Sequence, residues 1–136
     1  MKIRQQKKIT LISTKKPVGG NINQELQWLG NSLGLFNLRD KDKSCFRTFI
    51  ELIKCAKLKR AISSEELAYR LNLSRATVIH HIHKLMEAGI VIHEGNRYML
   101  RVDNLFSLIN EIEKDIKRIC EEIKEIARNI DKKIGL

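Results

Sequence analysis

The sequence predicts a mainly α-helical chain with a small β-hairpin, which is an α+β fold class. Three stretches support this prediction. Residues 62–87 contain two short amphipathic helices around a break, residues 90–102 contain two β-prone runs around a turn, and residues 104–136 carry isoleucine at steps of three and four. A chain of 136 residues ordinarily forms one domain, here with appendages at both ends.

The first appendage, residues 1–43, is predicted to be a basic extension with a short helix near 22–34. Four apolar residues recur there at helical spacing: Ile22, Leu26, Leu29 and Leu33. Before this helix, residues 9–12 have the composition of one short strand. Residues 1–20 contain no acid and six basic side chains, namely Lys2, Arg4, Lys7, Lys8, Lys15 and Lys16.

A central body is predicted over residues 44–102, beginning with a core helix at about 44–57. Its apolar stripe consists of Phe46, Phe49, Ile50 and Ile53. In the next helix, Ser63 is a candidate N-cap and Glu66 stands three residues later, as a capping box requires. Residues 72–74 then break the helix and offer Ser74 as the next cap.

The second helix of this pair is predicted from Arg75 to about Glu87. Its core-facing residues are Val78, His81, Ile82 and Leu85. Gly89 stands where a helix commonly ends in the left-handed conformation. Residues 90–93 are β-prone, residues 94–96 form a turn, and residues 97–102 alternate, which indicates a hairpin.

The run L-x-L-S-R-A-T-V-I-H-H-I-H-K-L-x-E-A-G-I-V, residues 71–91, resembles the recognition helix and following strand of winged helix-turn-helix transcription regulators of the ArsR and MarR kind. The resemblance covers roughly residues 44–102. It implies a winged helix-turn-helix body in a dimeric DNA-binding regulator. The second helix would enter the major groove, and the hairpin, or wing, would touch the flanking backbone or the minor groove.

The charge distribution agrees with this implication. The net charge is +10, and residues 104–136 hold seven basic and seven acidic side chains, so the whole excess lies in residues 1–103. A basic body beside a neutral segment is typical of a DNA-binding unit with an uncharged assembly element. The alternative is a generally basic protein. Similarly, the N-terminal arm either follows a DNA backbone or is a loosely docked terminus.

Helix geometry and the resemblance together predict the DNA-binding residues. Arg75 could reach a guanine edge and Ile79 a thymine methyl, whereas Thr77 and Lys84 suit phosphates. For Ile79 the alternative is a peripheral core contact with Met86. The full predicted set is Ser74, Arg75, Ala76, Thr77, Ile79, His80, His83 and Lys84 on the helix, with Asn96, Arg97 and Arg101 on the wing.

Residues 103–136 are predicted to form one long amphipathic helix for dimerisation. The predicted seam consists of Ile109, Ile112, Ile116, Ile119, Ile123, Ile126 and Ile130, a sustained heptad pattern. Glu113, Asp115 and Glu122 are predicted to line its edges. The alternative is a helix that folds back on its own body, but a helix about 45 Å long exceeds what that body can cover.

Other classes of site find little support in the sequence. His80 and His83 share a helix face but have no carboxylate or thiol at ligand spacing, so no metal and no cofactor is predicted. Three scattered cysteines favour reduced thiols in a cytoplasmic protein. The chain has no long apolar run, no secretory pattern and no catalytic loop motif, so neither a membrane span nor an enzyme is predicted.

The sequence therefore predicts a homodimer that binds specific double-stranded DNA and regulates transcription, as a repressor more than as an activator by family habit. No effector can be named. The alternative is a winged-helix module that mediates protein contacts in a transcription or nucleic-acid-processing complex.

Overall fold

The computed structural model describes residues 6–37, 40 and 42–136. The elements in chain order are α1 Ile22–Ser32, α2 Ser44–Lys57, β1 Ile62–Ser63, α3 Ser64–Leu71, α4 Arg75–Glu87, β2 Val91–Glu94, β3 Arg97–Leu100 and α5 Leu105–Ile134. The chain is mainly helical with a small antiparallel sheet and a long C-terminal helix. This confirms the predicted α+β class and the winged helix-turn-helix architecture.

Helices α3 and α4 are joined by a turn whose conformation the sequence dictates. The Ser63 hydroxyl accepts from the Glu66 N–H at 3.2 Å and caps α3. Asn72 adopts the left-handed conformation, with φ of 54°, and ends that helix. The Ser74 hydroxyl then accepts from the Thr77 N–H at 3.1 Å and starts α4. The polar residues at these positions therefore fix where each helix begins and ends.

The sheet has three strands in the order β1-β3-β2, all antiparallel. The predicted hairpin pairs Val91 with Leu100, and the additional strand β1 pairs Ile62 with Tyr98. Strand β1 has only two residues, which is too short to show an alternating pattern in the sequence. The pairing anchors the hairpin beside the start of α3.

The hydrophobic core is built from α2, α3, α4, the sheet and the first turns of α5, with Leu33 and Leu35 from the segment after α1. Within α2, the buried face carries Cys45, Thr48, Phe49 and Leu52. Of the predicted stripe, Phe49 is buried, Phe46 and Ile53 are half-buried against the core, and only Ile50 is not among the side chains packed there. Phe46 also packs on Phe36 in a tilted arrangement, with ring centroids 4.8 Å apart. Helix α2 has two packed faces, and the sequence pattern mixes them.

The described part of the N-terminal arm docks on the body without forming a strand. The Lys8 N–H donates to the Glu87 carbonyl at 2.9 Å, and the Ile12 N–H donates to the Ser32 carbonyl at 2.8 Å. Ile9 packs against the core. The prediction of a strand at residues 9–12 is wrong. The N–H groups of this segment bond to carbonyls at the ends of α1 and α4, and a strand would need partners on a neighbouring strand. Lys2 and Arg4 lie outside the described residues.

The long helix α5 divides into a packed part and an exposed part. The Asn104 side chain caps it by accepting from the Ser107 N–H at 2.8 Å. Leu108, Ile112 and Asp115 are buried against the body, whereas every residue from Glu121 to Leu136 is exposed. The body therefore covers the first three turns or so, and the remainder of the helix projects from it.

Candidate nucleic-acid interface

The N-terminal end of α4 is accessible to a ligand. Ser74, Arg75 and Ala76 are exposed, and the first N–H groups of a helix have no partners within the helix. The N–H of Thr77 is occupied by Ser74, whose hydroxyl also lies 2.8 Å from the Thr77 hydroxyl. The helix dipole places partial positive charge at this end, so an anion such as a phosphate is favoured there.

The two faces of α4 are separated as the spacing predicts. Val78, His81, Ile82 and Leu85 are buried, and they fix the helix to the core. The predicted contact residues lie on the other side: Arg75, Ala76, His80 and His83 are exposed, and Thr77, Ile79 and Lys84 are half-buried. Ile79 is not among the side chains packed against the core in the described part of the chain. The structure thus brings the predicted residues of α4 together on one accessible face.

Arg75 is the cation nearest the start of this face. Its side chain is 67% exposed, and its guanidinium lies 3.8 Å from a Glu65 carboxylate oxygen. An exposed pair at this distance contributes little to stability. Arg75 can therefore leave Glu65 for an anionic ligand at small cost.

The wing presents a smaller polar surface. Gly95 has φ of 62° and Asn96 completes the tight turn between β2 and β3. Asn96 and Arg97 are exposed. The Arg97 guanidinium donates to the Ala61 carbonyl at 3.3 Å, which holds the side chain along the outer strand β1.

Arg101, also predicted to contact DNA, is half-buried and is held by two carboxylates. Its guanidinium donates to both carboxylate oxygens of Asp115, and the second of these bonds measures 3.2 Å. It also lies 3.6 Å from a Glu111 carboxylate oxygen. A phosphate would have to displace the buried Asp115 carboxylate from this guanidinium, so Arg101 is not free to contact DNA in this arrangement. The alternating pattern predicted that Arg101 lies on the outer face of β3. The strand ends at Leu100, so the alternation does not extend to Arg101.

His81 is tied to the core by a chain of hydrogen bonds. The Ser44 hydroxyl lies 2.8 Å from Asp40 Oδ1 and 2.6 Å from His81 Nε2. An ionised carboxylate only accepts, so Ser44 donates to Asp40 and His81 donates to Ser44. His81 Nδ1 is buried without a hydrogen-bond partner. Burial lowers the pKa of His81, although the nearby charge of Asp40 opposes this shift.

This Asp-Ser-His chain is arranged as a structural connection. Ser44 is buried, with 5% of its surface exposed. Its hydrogen is directed at Asp40 and its oxygen accepts from His81, whereas an activated serine donates to the histidine. The Asp40 carboxylate also accepts from the N–H groups of Ser44 and Cys45 and so caps α2.

The remaining histidines and the cysteines are dispersed. Among the described residues, no group of three His, Cys, Asp or Glu side chains could hold a metal ion. Cys45 and Cys55 are buried, and Cys120 is exposed. Burial raises the pKa of Cys45 to about 11, so this thiol is protonated at neutral pH.

The predicted dimerisation residues fall into two groups. Ile112 is 2% exposed inside its own core, so it is not available to a second chain as predicted, whereas Ile116 is half-buried against that core. Ile109 and Ile119 lie at the boundary. Ile123, Ile126 and Ile130 are 62%, 59% and 50% exposed. The body buries a face of α5 that includes Asp115, which the sequence pattern placed at an edge of the seam.

A comparison with known families identifies the central body. A family model described as an HTH domain, that is, helix-turn-helix, matches residues 50–97. This match covers about a third of the chain and includes α3, α4 and most of the hairpin. Neither the curated proteins nor the solved structures gave a match. The chain carries a helix-turn-helix domain, which supports DNA binding and transcription regulation, whereas the ArsR or MarR kind stays a prediction.

The length and polarity of the helices in the described residues bear on membrane insertion. Each helix in that part of the chain is too short or too polar to cross a bilayer.

Proposed function

We propose that this protein binds specific double-stranded DNA as a homodimer and regulates transcription, without catalysing a reaction of its own. Repression is the more common role among the regulators it resembles. The observation that carries the proposal is the accessible face of α4 on a helix whose opposite face is anchored in the core. An α-helix fits the major groove, where each base pair presents a distinct pattern of donors and acceptors.

Each residue of this face has a proposed contact. Arg75 reads a guanine edge near the helix start, and Ile79 packs on a thymine methyl. Lys84 and Thr77 contact phosphates, and Ser74 does so at the N-terminal end of α4. Ala76, His80 and His83 complete the surface against the groove. Asn96 and Arg97 contact the flanking backbone from the wing, and Arg101 is left out because Asp115 holds it.

The homodimer is proposed from the exposed part of α5. Ile123, Ile126, Ile130 and Ile134 are each at least half exposed in the monomer. Burying one isoleucine contributes about 1.5–3 kcal/mol relative to exposure, and twofold symmetry doubles each contribution. Residues 119–136 carry four basic and four acidic side chains, so this segment has no net charge that would favour a strongly charged partner. A second copy of α5 matches this apolar and electrically neutral surface, and we propose it as the partner that covers the exposed isoleucines.

A module for protein contacts is the second candidate function. Tyr69 on α3 and Phe106 on α5 are 88% and 78% exposed. Large aromatic side chains are enriched at protein interfaces, which favours this candidate.

A gel-shift titration with random-sequence duplex DNA tests the proposal. Lys84 and Arg97 would neutralise about four phosphates per dimer, so affinity should fall roughly a hundredfold between about 50 and 200 mM salt. Lys84→Ala should reduce the salt dependence, whereas Lys124→Ala, on the exposed part of α5, should not. Absence of binding at low salt would refute DNA recognition and favour the protein-contact module.

A further inference from the structure

Asp115 is an unusual residue for the place it occupies. Among the described residues it is the only buried carboxylate, with 1% of its surface exposed. It lies on the face of α5 that packs against the body, next to Leu108 and Ile112. An apolar side chain there would pack at no desolvation cost, and replacing a buried ion pair by apolar groups is often neutral or stabilising. Packing stability alone therefore does not explain the charge.

The partners of Asp115 come from separate segments of the chain. Arg101, just after the wing, donates to both carboxylate oxygens, and Arg118 of α5 donates to Oδ1 at 3.0 Å. The bonds from Arg101 hold the pKa of Asp115 below its ordinary value, against the effect of burial. A bidentate pair of this kind fixes angle as well as distance. The carboxylate therefore ties α5 to the end of the wing.

The Asp115–Arg101 ion pair also contacts the segment where α4 ends. Arg101 Nη1 donates to the Gly89 carbonyl at 3.4 Å. A Cβ built on Gly89 would lie 3.1 Å from Asp115 Oδ2 and 3.9 Å from Lys7 Nζ. Gly89 has φ of 78° and no side chain, so the carboxylate can approach the backbone where α4 ends. One buried ion pair thus connects α5, the wing and the recognition helix.

We propose that the Asp115–Arg101 pair is a positioning device that sets the angle between α5 and the helix-turn-helix body, and thereby the separation of the two bodies in the dimer. This inference rests on the proposed homodimer. Ile126, in the exposed seam, lies about 16 Å along the helix from Asp115. Packing angles between helices vary by about 15–20° when side chains alone define them. A tilt of that size would move the seam by roughly 4–6 Å relative to the body, which is one to two base pairs of DNA at about 3.4 Å each.

Spin-label distance measurements on the dimer in the absence of DNA test this role. The label is attached to Tyr69→Cys in a Cys120→Ser background, because Tyr69 is 88% exposed and lies outside the proposed interface. Cys45 and Cys55 are buried and stay unlabelled. The parent protein should give one narrow distribution of distances. Asp115→Asn should at least double its width, and Glu121→Gln, which removes a carboxylate from the exposed part of the same helix, should leave it unchanged.

The double variant Arg101→Met/Asp115→Leu keeps the test decisive if the asparagine variant folds poorly. It replaces both partners of the ion pair by apolar side chains and leaves no buried charge unpaired, so it should stay folded by circular dichroism and still give a broad distribution. A narrow, parent-like distribution in a folded Asp115 variant would overturn the positioning role while leaving the dimer intact. A parent protein with no interspin distance would be a monomer, and that result would refute the proposed dimer together with this inference.

Discussion

The buried imidazole of His81 links the binding helix to the core in a way that depends on pH. Its Nε2–H donates to Ser44, and its Nδ1 has no partner. Protonation would place a positive charge and an unpaired N–H inside the protein, which is why burial lowers the pKa of His81. Below the ordinary histidine pKa of about 6.5, the unfolded chain takes up a proton that the folded chain resists. Stability should therefore fall as the pH drops from about 7.5 to 5.5.

Urea unfolding of wild type and His81→Gln at these two pH values measures the effect. Glutamine can still donate to Ser44 but does not titrate, so the variant should lose much less stability on acidification. His83→Gln removes an exposed imidazole of the same helix and should keep the wild-type loss. Equal pH dependence in wild type and His81→Gln would show that another group is responsible.

A second acid-sensitive range belongs to the two carboxylates with internal partners. Burial raises the pKa of Asp40, but the bonds from Cys45 and Ser44 together lower it below 3.8. The hydrogen bonds from Arg101 likewise lower the pKa of Asp115. For a carboxylate with a lowered pKa, the stabilisation is present above the ordinary value and is lost as the pH falls through the folded-state value. This loss should therefore come below pH 4, separate from that of His81.

Arg75 and Lys84 allow base reading to be separated from phosphate contact. Arg75→Ala should cost roughly 1–3 kcal/mol of binding and relax the preference at one base position in each half-site. Lys84→Ala should weaken all sequences alike. Selection of bound sequences from a randomised duplex pool, performed with each variant, measures both effects. Uniform losses in both variants would make Arg75 a phosphate contact and contradict its proposed role.

The packing of α1 on α2 depends on the absence of a side chain at Gly30. A Cβ at this position would lie 2.6 Å from the ring of Phe46 and 3.3 Å from that of Phe36. Alanine normally stabilises a helix interior by up to about 1 kcal/mol over glycine. Here the clash should dominate, so Gly30→Ala should destabilise the protein by about 1–3 kcal/mol.

Thermal or urea unfolding checks this prediction with Gly20→Ala as the control. A Cβ at Gly20 would meet nothing within 4 Å, so that variant should stay within about 0.5 kcal/mol of wild type. A neutral or stabilised Gly30→Ala protein would mean that α1 is not packed against Phe46 as the structure has it.

Local signals predict the elements of this chain better than they predict how the elements pack. Ser74 and Gly89 mark the two ends of α4 because capping and left-handed backbone depend on neighbouring residues only. The buried faces of α2 and the docking of the arm depend on partners distant in sequence. The same holds for Asp115, which was predicted at an edge of the seam because it is charged. Its burial depends on Arg101, which lies fourteen residues earlier. For the binding site, periodicity predicts which side of α4 is accessible, whereas the loss of Arg101 from the surface follows from tertiary contacts.

At the scale of the whole molecule, the exposed part of α5 allows dimerisation to be tested without disturbing the monomer. Ile126 is 59% exposed and lies beyond the last turn that contacts the body, so Ile126→Asp should leave the monomer folded. In a dimer the same change would bring two carboxylates into an apolar seam, where their desolvation is unfavourable. The variant should sediment as a monomer and keep the wild-type circular dichroism of its central body. Its affinity for a two-half-site duplex should fall by about a hundredfold or more, because the second half-site no longer benefits from the effective concentration that the linked partner provides.

Arg128→Asp is the matched control, since its position is on the side of α5 away from the isoleucines and its charge change is larger. It should remain dimeric. If both variants dissociate, net charge rather than the isoleucine seam would control assembly. If Ile126→Asp stays dimeric while Ile109→Asp does not, the interface would lie at the packed end of α5, close to the body. A wild-type protein that sediments as a monomer at micromolar concentration would refute the homodimer, and DNA would then be bound by single helix-turn-helix bodies.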